Sequence, residues 1–522
     1  MIGDALRRTR ERIESTGFGE TQRFLLLAIL IGVFAGLLVV LFHIAIDTIT
    51  WFGLESPYAR HRAVTALLPA LGALVAVFLT ARVFRGAKGS GVVDTKAAIY
   101  VSDGYVPFSA VIGKFLACSL AIGSGNSLGP EDPSLHMGAG VASVLGRAFG
   151  VSRDRMRLIA PVGAAAGLAA AFNTPISAVL FVIEEVLAGW SAGVLGSVVL
   201  AAVSATVVVR WFLGNQPLFL VPEFELTHVS ELVVHAAIGV AGGLLSVAFV
   251  RAGRRLRARF EAFAPGAPFL LPAAAGLAVG LLGLWVPEVL GAGYSAIGNA
   301  LHDRYAWNIL LLIGAVKMAA TLVCFSARTP GGMFAPALFI GAMIGGGMGG
   351  LAQQHWPFPT SAASAYVLVG MGTFFAGVFR APMTSIFMVF ETSASYVIIL
   401  PVMIANTIAY LISRRMEPVP FFTQLAREEG IDLPSLEQQR ESRALRVEDA
   451  MSAPPEAREE HTRLGALPRL YPDMPLDTAL RLFGPHRALP VTSRTRPYTL
   501  VGVLSLEDVE RAYGLTGPSP SA

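Results

Sequence analysis

Charge is what this chain has least of. Asp, Glu, Lys and Arg make up 15% of its 522 residues, where a soluble globular protein carries about a quarter. Cysteine is scarcer still. Cys118 and Cys324 are the two in the sequence, both in apolar stretches with no metal-ligand spacing, and they read as small core residues. No metal cluster and no nucleophile–base set is legible, so no catalytic residue is assigned and an enzyme is not expected. The first twenty residues are charged and lack the apolar core and cleavage site of a signal peptide, so the N-terminus is expected to stay inside.

What the chain has instead is apolar surface and glycine. Apolar residues make up 54% of the sequence, glycines number 54, and the mean hydropathy is +0.60. Runs such as Phe24–Phe42 and Ala236–Val250 reach or approach the length that crosses a bilayer. Abundant glycine suits close helix packing and broken helices. The reading is an all-α polytopic membrane protein.

The net charge of +4 matters less than its placement. Arginines 7, 8, 10, 12 and 23 precede the first apolar run, a second cluster spans Arg251–Arg259, and Arg414 and Arg415 form a third. Positive-inside bias assigns all three to the cytoplasm, which already accounts for the basic clusters without nucleic acid. Residues 1–22 read as a cytoplasmic helix and 23–427 as the membrane region, with halves at 23–213 and 230–415. A charged linker at 428–443, a small soluble domain at 444–516 and a tail at 517–522 complete the chain.

The halves repeat each other. Phe172, Pro175 and Glu184 match Phe379, Pro382 and Glu391, all 207 positions apart. The Gly129–Pro133 stretch matches Gly332–Pro336 at 203, and Gly89-Ser90-Gly91 finds an echo in Gly291-Ala292-Gly293 at 202. Arg23 starts the first half inside, whereas the long helix near 232–250 ends inside at its arginine cluster. The halves are therefore expected to be inverted, with a substrate site near the midplane where they meet.

The chemistry is expected at the breaks, because irregular backbone at membrane depth is tolerated only where protein buries it or a cavity is lined. At Lys88–Asp94, the Ser90 hydroxyl and the N–H groups around Gly91 suit an anion, although Ser90 also reads as a helix cap. Glu131 opens a helix, where it serves either as a capping charge or as a carboxylate in an anion's place that protonation releases. The Pro330–Pro336 break offers the N–H groups of Met333 and Phe334, and can equally be read as a glycine hinge. Glu184 and Glu185 end an apolar helix; successive helical residues point about 100° apart, so at most one of them shares the functional face.

Taken together and in this order, Gly89-Ser90-Gly91, Gly129–Pro133, Asn173-Thr174-Pro175 with Glu184-Glu185, and Gly331–Pro336 resemble the signature elements of CLC chloride channels and transporters. The likeness covers roughly residues 23–427. It implies a homodimer with one pore per subunit, and it implies anion sites at converging helix N-termini. By position, Ser90 with Gly91 resembles the central anion site, Met333 and Phe334 the backbone donors to that anion, and Glu131 the external gate. Glu185 resembles the internal proton-transfer glutamate, and Lys114 a lysine near the ion path. Phe421 aligns with a tyrosine whose hydroxyl binds the anion, so that one ligand is lost here. The usual Gly-Arg-Glu-Gly-Pro is Gly-Pro-Glu-Asp-Pro, which sets Asp132 beside the gate. The usual Gly-Ser-Gly-Ile-Pro-Glu is Gly-Ser-Gly-Val-Val-Asp.

The soluble segment alternates apolar strands with amphipathic helices and resembles a CBS domain. There is room for roughly one unit of a module that usually comes in pairs. An adenine nucleotide site would require one unit from each of two subunits, and a packing module without ligand fits equally well; no other cofactor is expected. The expected function is chloride/proton antiport, by a multi-pass inner-membrane protein with both termini in the cytoplasm and chloride, protons and lipid as its partners. The alternatives are a voltage- or pH-gated chloride channel of the same fold and a nucleotide-sensing membrane receptor or scaffold.

Overall fold

The longest apolar runs fold as the longest helices. In the computed structural model α1 (Glu20–Thr50) and α9 (Glu231–Phe263) have 31 and 33 residues. At about 1.5 Å per residue each is longer than a bilayer core is thick, so each spans with tilt or overhang. The structure describes residues 19–56, 61–187, 192–222, 227–263, 269–431, 433, 445–454, 467–493 and 500–513. The helix expected over 1–22 and the linker at 428–443 lie largely outside the described residues.

Between these long helices the chain is cut short repeatedly. The first half continues with α2 (Arg62–Phe78), α3 (Gly91–Tyr100), α4 (Phe108–Gly123), α5 (Glu131–Ala148), α6 (Arg153–Phe172), α7 (Pro175–Phe181) and α8 (Ala192–Leu213). The second continues with α10 (Leu270–Gly283), α11 (Tyr294–Leu301), α12 (Trp307–Ser326), α13 (Phe334–His355), α14 (Ala363–Phe379), α15 (Pro382–Ser393) and α16 (Ile399–Met416), and α17 (Phe421–Glu428) follows. Among the described residues, seven helices are long and apolar enough to cross a membrane. Others, such as α3 with 10 residues and α11 with 8, are too short to cross upright.

The cuts have local causes. Helix α6 stops at Asn173 and α14 at Arg380, both left-handed with φ of 57° and 58°. The prolines at 175 and 382 then restart the chain as the first residues of α7 and α15, where a missing N–H costs nothing.

Reciprocal contacts show that the two halves are related by a two-fold. Glu184 Oε2 accepts from Thr384 N–H at 2.8 Å and Thr384 Oγ1 at 2.6 Å, while Oε1 accepts from Met383 N–H at 3.0 Å, closing the start of α15. Glu391 does the same for α7, accepting from the N–H groups of Ile176 at 2.9 Å and Ser177 at 2.8 Å. Each half thus caps the other. The helix crossings match as well: a Cβ on Gly138 would lie 2.2 Å from the Gly163 carbonyl oxygen, and one on Gly341 2.3 Å from that of Gly370. Only glycine permits backbones this close.

The chain divides into compact units at 1–433 and 434–522. In the second, β1 (Ala488–Thr492) pairs antiparallel with β2 (Leu500–Ser505), Leu489 opposite Leu504. Helices α18 (Val447–Ala450), α19 (Leu476–Leu482) and α20 (Leu506–Ala512) surround a core that includes Val447, Leu470, Leu476, Leu489, Val491 and Leu504. Helix α20 is closed by a capping box, the Ser505 hydroxyl accepting from Asp508 N–H at 3.1 Å while the Asp508 carboxylate accepts from Ser505 N–H at 3.1 Å. Burial raises the Asp508 carboxyl, but the bonds from Ser505 and Ser452 and the charge of Arg511 outweigh it and hold the group below its ordinary value.

Candidate anion and proton site

Two broken loops meet head-on. Gly129 N–H donates to the Gly332 carbonyl and Gly332 N–H to the Gly129 carbonyl, both at 2.8 Å. This pair of bonds fixes the N-terminus of α5 against that of α13. Glu131, the first residue of α5, is fully buried between them. Its Oε2 accepts from Ala335 N–H at 3.2 Å, in the first turn of α13, and its Oε1 accepts from the hydroxyl of Tyr294, which opens α11. Met333 and Phe334, the cap and first residue of α13, are buried in the same turn. A negative group therefore sits where free N–H groups and a helix dipole favour one.

Asp132 turns the other way. Its Oδ1 accepts from Ser90 Oγ at 2.9 Å and from Val92 N–H at 2.8 Å, and its Oδ2 accepts from Gly91 N–H at 2.8 Å. The serine that caps α3 thus donates to a carboxylate from α5, and Ser90, Gly91 and Asp132 form one buried cluster.

A cavity of about 880 Å³ reaches this cluster, with Ser90, Asp132, Lys114, Arg257, Arg328 and Glu429 among its lining residues. Lys114 Nζ donates to the Gly89 carbonyl at 2.6 Å and lies 3.0 Å from Asp94 Oδ2, so the acid that departs from the usual sequence here has its own counter-charge. Lys317 is the counterpart in the second half, donating to the Gly291 carbonyl at 2.6 Å. Glu429, beyond the last membrane helix, lies 3.8 Å from Arg257. Burial and the Asp94 charge push its carboxyl up to about 7, against the pull of Arg257 and Lys114.

The two acids at 184 and 185 part company on a π-helical turn, Val182–Val186. Glu184 closes α15, as described. Glu185 is buried, with Oε1 2.7 Å from Lys96 Nζ of α3. Between the adjacent rings at the start of α17, Phe421 faces Phe325 and Phe379 at 5.9 and 5.8 Å. The ring that meets Phe334, at 6.0 Å, is the buried Phe422. Phe421 and Phe422 therefore meet different rings, since one step along a helix turns a side chain by about 100°. Neither ring carries a hydroxyl.

Residues 71–414 match the family described as voltage gated chloride channel. This chain belongs to that family. Among its relatives, a protein of Ralstonia nicotianae named as a putative chloride channel protein ClcB-like is 34% identical over 66% of this chain and 81% of its own length. The H(+)/Cl(-) exchange transporter ClcA of Vibrio cholerae is 31% identical over 77% of this chain and 88% of its own. Among solved structures, a slow cyanobacterial Cl−/H+ antiporter superposes with a TM-score of 0.71 at 24% identity, covering 80% of this chain and 99% of that one. At that identity the superposition speaks for the fold, which is the family's.

Within this family member the sequence reading missed Tyr294, Lys96 and the target of Asp132. Tyr294 was within reach. It follows Gly293, the repeat partner of Gly91, so carrying the repeat one position further would have put it at a helix start facing the site. Lys96 had no such signal, because its bond to Glu185 joins segments 89 residues apart.

Proposed function

We infer that this protein exchanges chloride for protons across a membrane, as the names of its ClcA relatives state for those proteins. One observation carries the reading: Glu131, buried at the meeting of α5 and α13, accepts from Ala335 N–H and the Tyr294 hydroxyl. Ionised, it occupies the place of an anion and closes the path. Protonated, it no longer competes, and chloride takes the donors it leaves. The gate and the outer proton carrier are then one group.

Ser90 and Gly91 bind the anion on the inner side, Met333 and Phe334 supply backbone donors from the other half, and Phe422 with Phe421 walls the path without a hydroxyl ligand. The cavity that reaches Ser90 gives the anion a route to this site from the side of Arg257 and Arg328. Glu185 passes the proton to that side. Its engagement with Lys96 at 2.7 Å also suits a purely structural role, and on that observation a passive channel is the second reading.

The protein sits in the inner membrane with both termini in the cytoplasm and works as a homodimer with one pore per subunit. The unit after residue 434 is read as CBS-like; an adenine nucleotide site there would need one unit from each of two subunits, and a packing module without ligand fits equally well. The test is made on purified protein in liposomes under an outward or inward chloride gradient with no pH gradient. Antiport drives protons uphill; a wild-type protein that moves chloride and no protons is a channel.

A further inference from the structure

An acid in the first turn of a helix ordinarily faces the free N–H groups of that same turn. Asp132 does not. It is the second residue of α5, yet its carboxylate accepts from Ser90 Oγ, Gly91 N–H and Val92 N–H at 2.8–2.9 Å, in a turn forty residues earlier in the chain. A hydroxyl and two backbone N–H groups are the donors read above as the inner anion site. In this structure they are taken by a negative group that the chain itself provides. The cluster is tight, because a Cβ on Gly91 would lie 2.1 Å from the Asp132 carbonyl oxygen. It is also reachable, since Ser90 and Asp132 both line the cavity, whose wall carries Lys88, Lys114, Arg257 and Arg328 together with the acids Asp94, Glu261, Glu428 and Glu429. An anion that enters from that side meets the Ser90 donors already occupied.

We propose that Asp132 is a tethered carboxylate that competes with the transported anion for the Ser90 site, a second barrier in series with Glu131. The proposal rests on the reading of Ser90 as an anion ligand. Two adjacent acids on one helical turn then guard two different donor sets. Glu131 closes the set formed by α13 and Tyr294, and Asp132 closes the set at the start of α3. Chloride displaces one after the other, and no bond is made or broken covalently. The affinity measured for chloride is lowered by the fraction of time the carboxylate holds the site.

The experiment is calorimetric titration of the purified full-length protein with chloride at one fixed neutral pH, for wild type, Asp132→Ala and Asp132→Asn. Both variants are expected to bind chloride about tenfold more tightly or better, as follows if Asp132 holds the site nine-tenths of the time or more. Adding Ser90→Ala to Asp132→Ala is expected to remove the gain. A purely structural tie between α3 and α5 predicts the opposite pattern, a lower melting temperature with unchanged or weaker chloride binding, and that result overturns the proposal. So does a gain that survives Ser90→Ala. Should the alanine variant fail to fold, the asparagine variant, which keeps an acceptor without the charge, decides on the same readout. Chloride binding is read without proton movement, so a wild-type protein that fails to pump protons leaves this test intact.

Discussion

Glu131 and Asp132 are neighbours in the chain, yet their carboxylates bond to opposite halves of the repeat. Glu131 reaches Ala335 and Tyr294 in the second half, whereas Asp132 reaches Ser90, Gly91 and Val92 in the first. The N-terminus of one helix therefore delivers a negative charge to each side of the meeting point.

On the proposed reading, the Tyr294 hydroxyl, bonded to Glu131, holds the gate shut. A hydrogen bond to a charged group contributes about 1.5–3 kcal/mol, and its loss shifts the closed–open balance by roughly tenfold or more. Tyr294→Phe is accordingly expected to raise chloride efflux from loaded liposomes at neutral pH, where the gate limits flux. Efflux equal to wild type, in a variant that melts normally, would remove the tyrosine from the gate.

Lys96 and Glu185 separate a proton carrier from a structural pair. Glu185→Gln is expected to stop proton movement while chloride still flows and the Glu131 gate still responds to pH. Lys96→Met leaves a buried carboxylate unpaired and is expected to cost about 3–5 kcal/mol of stability. The double variant should recover much of that loss in thermal unfolding. If Glu185→Gln lowers stability and leaves the proton-to-chloride ratio unchanged, the pair is structural only.

Glu429 gives the cavity a pH response near neutrality. Its carboxyl titrates at about 7, well above the ordinary glutamate value, so it is ionised above that pH and neutral below it. Stepping the solution on the cavity side from alkaline to acid across pH 7 removes a negative charge beside Arg257, and chloride entry from that side should rise. Glu429→Gln fixes the neutral state. Its chloride currents in planar bilayers should be high throughout and lack this rise, and a rise undiminished in the variant would assign the response elsewhere.

Much of this was legible because the repeat writes the same backbone event twice. Pro175 and Pro382 mark breaks in sequence because proline is favoured at a helix start, and the Gly129 and Gly332 turns because a Cβ there would lie 2.4 and 2.7 Å from a neighbouring side chain. Glu184 and Glu391 were paired by the repeat, but their capping of each other's half was not, because sequence order does not say which helix end lies opposite. Ser90 was read correctly as a donor at a helix start, and its occupant was not read at all. Asp132 reads in sequence only as a second acid beside the gate, and the crossing of α3 and α5 reveals that it caps the other helix. Which of Phe421 and Phe422 turns toward Phe334 was not legible for a related reason: both are aromatic, and the helix phase is set by packing.

The central claim is that Glu131 is at once gate and proton carrier, and Glu131→Gln in liposomes tests it most directly. Proton uptake and chloride efflux are recorded together under a chloride gradient across a range of external pH. The account predicts that proton movement stops while chloride flux persists and no longer depends on external pH. A Glu131→Gln protein that still drives protons uphill, or whose chloride flux keeps the wild-type pH dependence, would contradict it.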